Sequence, residues 1–156
     1  LRPWRKRGAK AQAIGPSRGG QTTKIHAVTD LLGRPAILRL TAGNVSDITM
    51  AGPLMDAAGR VRCLIADKGY DARYLWTAMK ERGVDLIAPH LRTRTNRYQD
   101  GRKLRRYRRR WIVERTNAWL FNFRRLVVRY EHKLENFRAF IHLACALIAL
   151  RKLKGF

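Results

Sequence analysis

Between Thr22 and Pro89 two kinds of hydrophobic pattern follow one another in an order that few folds can accommodate. TTKIHAVTD alternates apolar and polar residues, LLGRP follows, and AILRLTA resumes the alternation. This predicts an antiparallel strand pair joined by a turn around Gly33 to Pro35. NVSDITMAGPLMDAAG offers Ser46 or Asp47 as a helix cap and closes at Gly59, with Gly52 and Pro53 expected to break or restart the helix. VRCLIAD reads as a buried strand. DKGYDARYLWTAMKERG places Asp71 as the cap of a helix whose apolar positions Leu75, Met79 and Tyr74 recur at helical spacing, stopping at Gly83, and VDLIAP is one more short strand. Strand, helix, strand, helix, strand after an antiparallel pair implies parallel neighbours with helices packed on them. The expected class is α/β with a mixed sheet and flanking helices.

Both flanks of this centre are basic. Residues 1–20 are rich in Lys, Arg and Gly and are expected to form an irregular arm, with 21–156 as the body. His90 to Gly101 reads as a polar loop, and two long helices are expected at about 102–128 and about 134–154. The 156 residues suffice for one domain with a helical extension, and the formal net charge is +23. Seven Lys/Arg and no acids lie in Leu1 to Lys24, eight against seven acids in Ile25 to Pro89, and nineteen against four in His90 to Phe156. A nearly neutral centre between two cationic ends suits a polyanionic partner, because each neutralised phosphate releases counterions. Nucleic acid is the first candidate and an anionic membrane surface the second.

Cys63 and Cys145 sit in apolar runs and are expected to be buried thiols of a reducing cytoplasm, not a disulfide or a metal pair. No leader is visible, and the longest apolar run, Ala139 to Leu150, is shorter than the roughly 20 residues that span a bilayer, so a buried helix is expected there. The chain starts at Leu, which suggests an N-terminus lost or placed in another reading frame. His26, His90, His132 and His142 show no zinc spacing, and His142, inside the apolar helix, is expected to be a core or helix-packing residue and not a ligand.

The stretch Arg105 to Arg125, RRYRRRWIVERTNAWLFNFRR, holds eight arginines and one carboxylate, Glu114. At roughly 100° per residue, Ile112, Val113, Thr116, Trp119, Leu120, Phe123 and Val127 gather into a core stripe. Tyr107, Arg110 and Glu114 then share the opposite side. Two readings stand together: a surface ion pair of Glu114 with Arg110, or a carboxylate metal ligand flanked by groups that hold phosphate. Asp67 carries the same duality. It follows an apolar strand directly, where α/β folds place their ligands, yet Asp-Lys-Gly is also ordinary turn composition. Two acids on separate elements of a cationic chain suit hard Mg²⁺ or Mn²⁺ ions and phosphodiester chemistry.

At this point the residues resemble a known family, the DDE transposases of bacterial insertion sequences, in particular insertion-sequence family five. The carriers are SRGGQTTKIHAVTD, LTAGNVSD, LIADKGYDA, the Tyr107, Arg110, Glu114 triplet, and NFRRL with RYEHKLENF, from Gly19 to about Lys152. The resemblance implies an RNase H-like fold, incomplete here at its N-terminus, and a triad of two Asp and one Glu holding divalent metal. It also implies cleavage and transfer of DNA strands at the ends of a mobile element. By motif position Asp67 is the second acid and Glu114 the third. Tyr107 and Arg110 match the family's DNA-facing positions, while its Lys position holds Phe121.

The first acid belongs on a strand upstream of SRGG, yet no carboxylate precedes Asp30, which falls in the hairpin turn. The chain is therefore expected to lack one metal ligand, as a truncated gene, a decayed element or the downstream product of split reading frames, and to be inactive alone. Lys24, Lys68, Arg105, Arg106, Arg108, Arg109, Arg124 and Arg125 are the expected DNA-backbone contacts. The partners implied are double-stranded DNA, as terminal repeats and target, and a second copy of the chain in a homodimer, with no membrane and a cytoplasmic, nucleoid-associated location. The rival class is a non-enzymatic basic nucleic-acid binder, or a catalytically dead remnant, in which the arginines matter and the acids do not.

Overall fold

The computed structural model describes residues 8, 11–93, 95–97 and 101–153. Their elements run, in chain order, β1 (Gly15–Ser17), β2 (Gly20–Thr29), β3 (Pro35–Ala42), α1 (Ala51–Ala58), β4 (Cys63–Ile65), α2 (Arg73–Glu81), β5 (Asp85–Ile87), α3 (Gly101–Leu104), α4 (Trp111–Phe121), α5 (Arg124–Val127) and α6 (Leu134–Leu153). Short 3-10 segments cover Asp47–Met50, Lys68–Tyr70 and Arg105–Arg110. The chain divides into two compact units, one of residues 1–46 with 112–156 and one of Asp47–Trp111.

In the first unit β1, β2 and β3 form an antiparallel sheet in that order, with Ile25 paired to Leu40 and Ala27 to Leu38. Because side chains alternate along a strand, Ile25, Leu38 and Leu40 share one face. That face packs on a core of Leu120, Leu126, Phe137, Ile141, Ala144, Cys145 and Ile148, drawn from α4, α5 and α6. The expected hairpin is present. Its turn is held by Asp30, whose carboxylate accepts from the backbone N–H of Leu32 and of Arg34, both at 2.9 Å, and from Arg34 Nε at 2.6 Å. Burial alone pushes the Asp30 carboxyl up, but these Arg34 and Leu32 donors outweigh it and hold the pKa below the ordinary 3.8.

The arm expected to be irregular over residues 1–20 contributes β1, and Ala13 and Ile14 are buried. Residues 1–7, 9 and 10 lie outside the described set. Gln12 explains the order near that strand: its Oε1 accepts from the Leu134 N–H at 2.8 Å, capping α6 from a distant part of the sequence. Arg129 Nη1 donates to the Gln12 carbonyl at 2.7 Å, so two side chains tie this segment to the α5–α6 loop.

In the second unit β4 and β5 are parallel, Cys63 beside Asp85 and Ile65 beside Ile87. Leu54, Met55, Leu75, Met79, Leu86 and Ile87 are buried and form its core. The expected single mixed sheet is thus found as an antiparallel and a parallel sheet among the described residues. Pro53 does not break α1. It is the third residue of that helix, where backbone N–H groups have no intrahelical partner. Neither Ser46 nor Asp47 caps α1, which starts after a 3-10 turn and ends, as expected, at Gly59 with φ 67°. Tyr74 is 60% exposed, whereas Leu75 and Met79 are buried.

The long helix expected at about 102–128 is interrupted twice. After Phe121 the N–H groups of Asn122 and Phe123 bond back to Trp119 and Leu120, three residues earlier, and Phe123 turns extended (φ −86°, ψ 106°) before α5. The wheel therefore slips: Leu126 is buried and Val127 is 57% exposed. The helix at about 134–154 is present as α6, but only Phe137, Ile141, Ala144, Cys145 and Ile148 are buried along it, and His142 is exposed instead of packing in the core. No helix among the described residues is long and apolar enough to cross a membrane. Cys145 is buried and Cys63 half-buried, both as free thiols, and burial raises the Cys145 pKa to about 11.

Candidate nucleic-acid and metal site

The second unit carries Asp67 at the carboxyl end of its parallel sheet. Ala66 N–H still donates to the Ile87 carbonyl at 3.0 Å, and the chain then leaves the sheet. Asp67 caps the 3-10 turn that follows: its Oδ1 accepts from the Gly69 N–H at 2.8 Å. A Cβ at Gly69 would stand 3.0 Å from that same oxygen, so a larger residue there would push the carboxylate by a few tenths of an ångström. The turn reading of Asp-Lys-Gly is correct, and it uses one of the two carboxylate oxygens. Asp67 is half-buried and Lys68 exposed. Tyr70 closes the turn, and burial first, then the charges of Asp47 and Asp67, push its phenol up to about 12, so it remains a neutral donor.

Asp71 does not cap α2, whose N-cap is Ala72. It is buried and accepts from Leu91 N–H at 2.7 Å, from His90 Nδ1 at 3.1 Å and from Trp76 Nε1 at 3.2 Å. One carboxylate thus fastens the chain leaving β5 to the start of α2. Sequence reading missed this because acidic residues before helices usually cap them. The available signal was Asp71 and His90, each a few residues beyond a parallel strand.

The basic stretch is anchored to the same sheet. Asp85, which opens β5, pairs with Lys103 at 2.6 Å and Arg106 at 3.8 Å. From Leu104 to Trp111 exposure repeats every three residues: Leu104, Tyr107 and Arg110 are half-buried, and Arg105, Arg106, Arg108, Arg109 and Trp111 are exposed. In the 3-10 register side chains three apart eclipse, which sets Arg110 Nη1 to donate to Tyr107 Oη at 2.9 Å, with its guanidinium 5.8 Å from the ring centre. The structure brings this expected pair together.

Glu114 lies in the first turn of α4, in the first unit, and is exposed, in keeping with its place off the core stripe. Its helix is fixed from below by Thr116, fully buried, whose Oγ1 donates to the Gly33 carbonyl at 2.7 Å and sits 3.0 Å from the Ile112 carbonyl. Of the expected backbone contacts in this unit, Arg124 is exposed. Arg125 pairs with the buried Glu131 at 2.8 Å and lies 4.9 Å from the Phe140 ring centre. Lys24 donates to the Val45 carbonyl at 2.7 Å. Arg125 and Lys24 thus carry structural bonds within the unit. Phe121 is 58% exposed. Among the described residues no three His, Cys, Asp or Glu side chains gather as a metal-binding group.

The transposase DDE domain model matches residues 2–149. The chain is 38% identical over 143 residues to the protein of Burkholderia cepacia assigned as transposase for insertion sequence element IS402, covering 85% of this chain and 64% of that one. It is 35% identical over 130 residues to its counterpart for element IS6501 of Brucella ovis, covering 83% of this chain and 99% of that protein. No solved structure matches significantly. Matched over nearly its whole length, the chain belongs to the family of transposases with a DDE domain.

Proposed function

We propose that this chain binds double-stranded DNA at insertion-sequence ends and supplies two of the three carboxylates of a metal-dependent transposase, on an RNase H-like fold. The observation that carries the reading is Asp67, at the carboxyl end of β4, with its rotamer fixed through Oδ1 by the Gly69 N–H. An oxygen-only carboxylate donor of this kind suits a hard dication such as Mg²⁺ or Mn²⁺, and Asp67 and Glu114 are the residues that would hold it. When bound, such ions activate the attacking oxygen and stabilise the departing one in phosphodiester transfer. The first acid of a DDE triad has no carboxylate before Asp30 to supply it.

The remaining work falls to the chain's own cations. Tyr107 and Arg110, locked by their mutual hydrogen bond, present a phenol and a guanidinium to phosphate, and Arg105, Arg106, Arg108, Arg109, Arg124 and Lys68 add a sequence-independent backbone attraction. Joining two DNA ends calls for two copies, so a homodimer is the proposed assembly, in the cytoplasm with the nucleoid.

Mn²⁺ binding to the full chain tests this reading, followed by electron paramagnetic resonance and by thermal shift. Wild type is expected to bind the ion and gain stability, and Asp67→Asn and Glu114→Gln to lose both effects. Asn keeps an acceptor for the Gly69 N–H, so its metal-free melting temperature is expected to stay at the wild-type value. Wild-type protein that binds DNA but no Mn²⁺ would sink the metal reading and leave a basic nucleic-acid binder.

A further inference from the structure

Helix α6 is apolar on two sides, and the core covers only one of them. Phe137, Ile141, Ala144, Cys145 and Ile148 are buried. At roughly 100° per residue, Ala139, Leu143, Ala146, Leu147, Leu150 and Leu153 fall within a sector of about 120° on the opposite side, and all six are exposed. Leu143 is 58% exposed, Leu150 47% and Leu153 72%. From Ala139 to Leu150 the sequence carries no Lys, Arg, Asp or Glu, in a chain of 34 basic and 11 acidic residues. A contiguous apolar face of this kind marks an interaction surface, and a helix apolar all round is ordinarily covered all round. Polyanionic DNA offers it nothing, so its occupant is apolar.

We propose that this face is the seam of a homodimer, in which α6 packs against α6 of a second copy, antiparallel across a two-fold axis. The proposal rests on the two-copy assembly inferred above and names the surface that makes it. Ala139, Leu143, Ala146, Leu150 and Leu153 follow one another at intervals of four, three, four and three, the seven-residue repeat of a two-helix seam about 22 Å long. Size then selects the direction. With the axis between Leu143 and Ala146, Leu143 faces the partner's Ala146 and Leu150 faces the partner's Ala139, so each layer joins a large side chain to a small one. A parallel pair would set leucine on leucine in one layer and leave alanine on alanine, a gap, in the next. Charge agrees, since α6 carries Glu135 in its first turn and Arg151 with Lys152 in its last. Antiparallel ends bring opposite charges and opposite ends of the helix dipole near one another, whereas parallel ends bring like to like. The two-fold makes every such contact twice and closes the assembly at two copies.

Sedimentation of the full chain at moderate salt, with nucleic acid removed, reads the mass. Wild type is expected to be a dimer that dissociates on dilution. Leu150→Glu and Ala139→Lys, each placing one charge in the seam, should raise the dimer dissociation constant at least about tenfold. Helical circular dichroism should stay unchanged, because both sites face solvent in the single copy. The double variant Ala139→Lys with Leu150→Glu should recover the dimer to within about threefold, since the antiparallel register pairs the two new charges and a parallel one sets like on like. Ala146→Leu should weaken the antiparallel dimer about tenfold by overpacking both central layers, and would strengthen a parallel one by filling its gap. A monomeric wild type overturns the seam, whatever else covers the stripe. So does a dimer that ignores all three single substitutions, or a double variant no better than its parents. Each of these leaves the DNA reading standing. Salt-dependent binding to a duplex, read on the same wild-type samples, is the separate measurement whose absence overturns that reading.

Discussion

Replacing Thr116 by Val removes one hydroxyl from the joint that holds the hairpin turn against the helix bearing Glu114. Thr116 is 0% exposed, and its Oγ1 lies 2.7 Å from the Gly33 carbonyl and 3.0 Å from that of Ile112. A hydroxyl has one proton, and the shorter contact takes it. Val fills the same volume with the same branching, so no cavity opens and helix propensity scarcely changes. The loss is then a hydrogen bond plus a buried Gly33 carbonyl without its donor, together about 1 to 3 kcal/mol. Thr116→Ser is the complement. It keeps the hydroxyl and loses one buried methyl, about 0.5 to 1.5 kcal/mol by analogy with Ile→Val.

Urea denaturation gives the two free energies, and amide hydrogen exchange separates their causes. The Gly33 N–H, which bonds to the Asp30 carbonyl at 3.0 Å inside the turn, should exchange faster in the Val variant and at the wild-type rate in the Ser variant. A Val variant within about 0.5 kcal/mol of wild type, a change typical of neutral surface sites, with an unchanged Gly33 exchange rate, would refute the joint.

Gly33→Ala should destabilise through the other side of the same joint. Its φ of +81° costs a side chain about 1 to 2 kcal/mol, and the new Cβ would stand 3.2 Å from Thr116 Oγ1 and 3.3 Å from Ile112 Cγ2, so a larger total is expected in the same urea assay. Asp71→Ala should cost about 3 to 5 kcal/mol, because three donors lose a buried carboxylate, and the loss should appear as early unfolding in Trp76 near-ultraviolet dichroism. Asp30 has a folded pKa below the ordinary 3.8, so its stabilisation is complete above that value and fades as pH falls through the folded pKa. Asp30→Asn should therefore shallow the acid limb of a stability–pH profile. With a pKa of about 11, Cys145 should resist iodoacetamide at pH about 8 in native protein and react once urea unfolds it.

Residues that obey a single local period were legible in the sequence. The hairpin, both parallel strands, α2, α6 and the exposure of Glu114 follow from alternation, from helical spacing and from Gly59 and Gly83 at helix ends. What escaped was set by contacts distant in sequence or by a change of period. β1 is ordered beside Gln12, whose partners are Arg129 and Leu134, more than a hundred positions away. Leu126 replaced Val127 in the core because α4 stops and α5 restarts out of phase. His142 was misjudged because α6 buries one face, and an apolar run by itself does not say which side that is. The arginine stretch was read at the α-helical step, and its true step of three changes which residues stand in line.

The same change of step bears on how Asp67 and the arginines can be read together. Asp67 had two readings, turn former and ligand, which compete only if the turn consumes the carboxylate. It does not: Oδ1 accepts from Gly69 N–H, and that bond removes the side-chain rotation that a ligand would otherwise lose on binding. A turn-forming aspartate at a strand end is thus pre-oriented, and its structural role is compatible with the ligand role proposed for it. The Tyr107–Arg110 bond likewise fixes the guanidinium that is proposed to contact phosphate. Substitutions that keep these bonds and remove only charge, such as Asp67→Asn, therefore report on function. Substitutions to Ala mix the lost charge with the lost order.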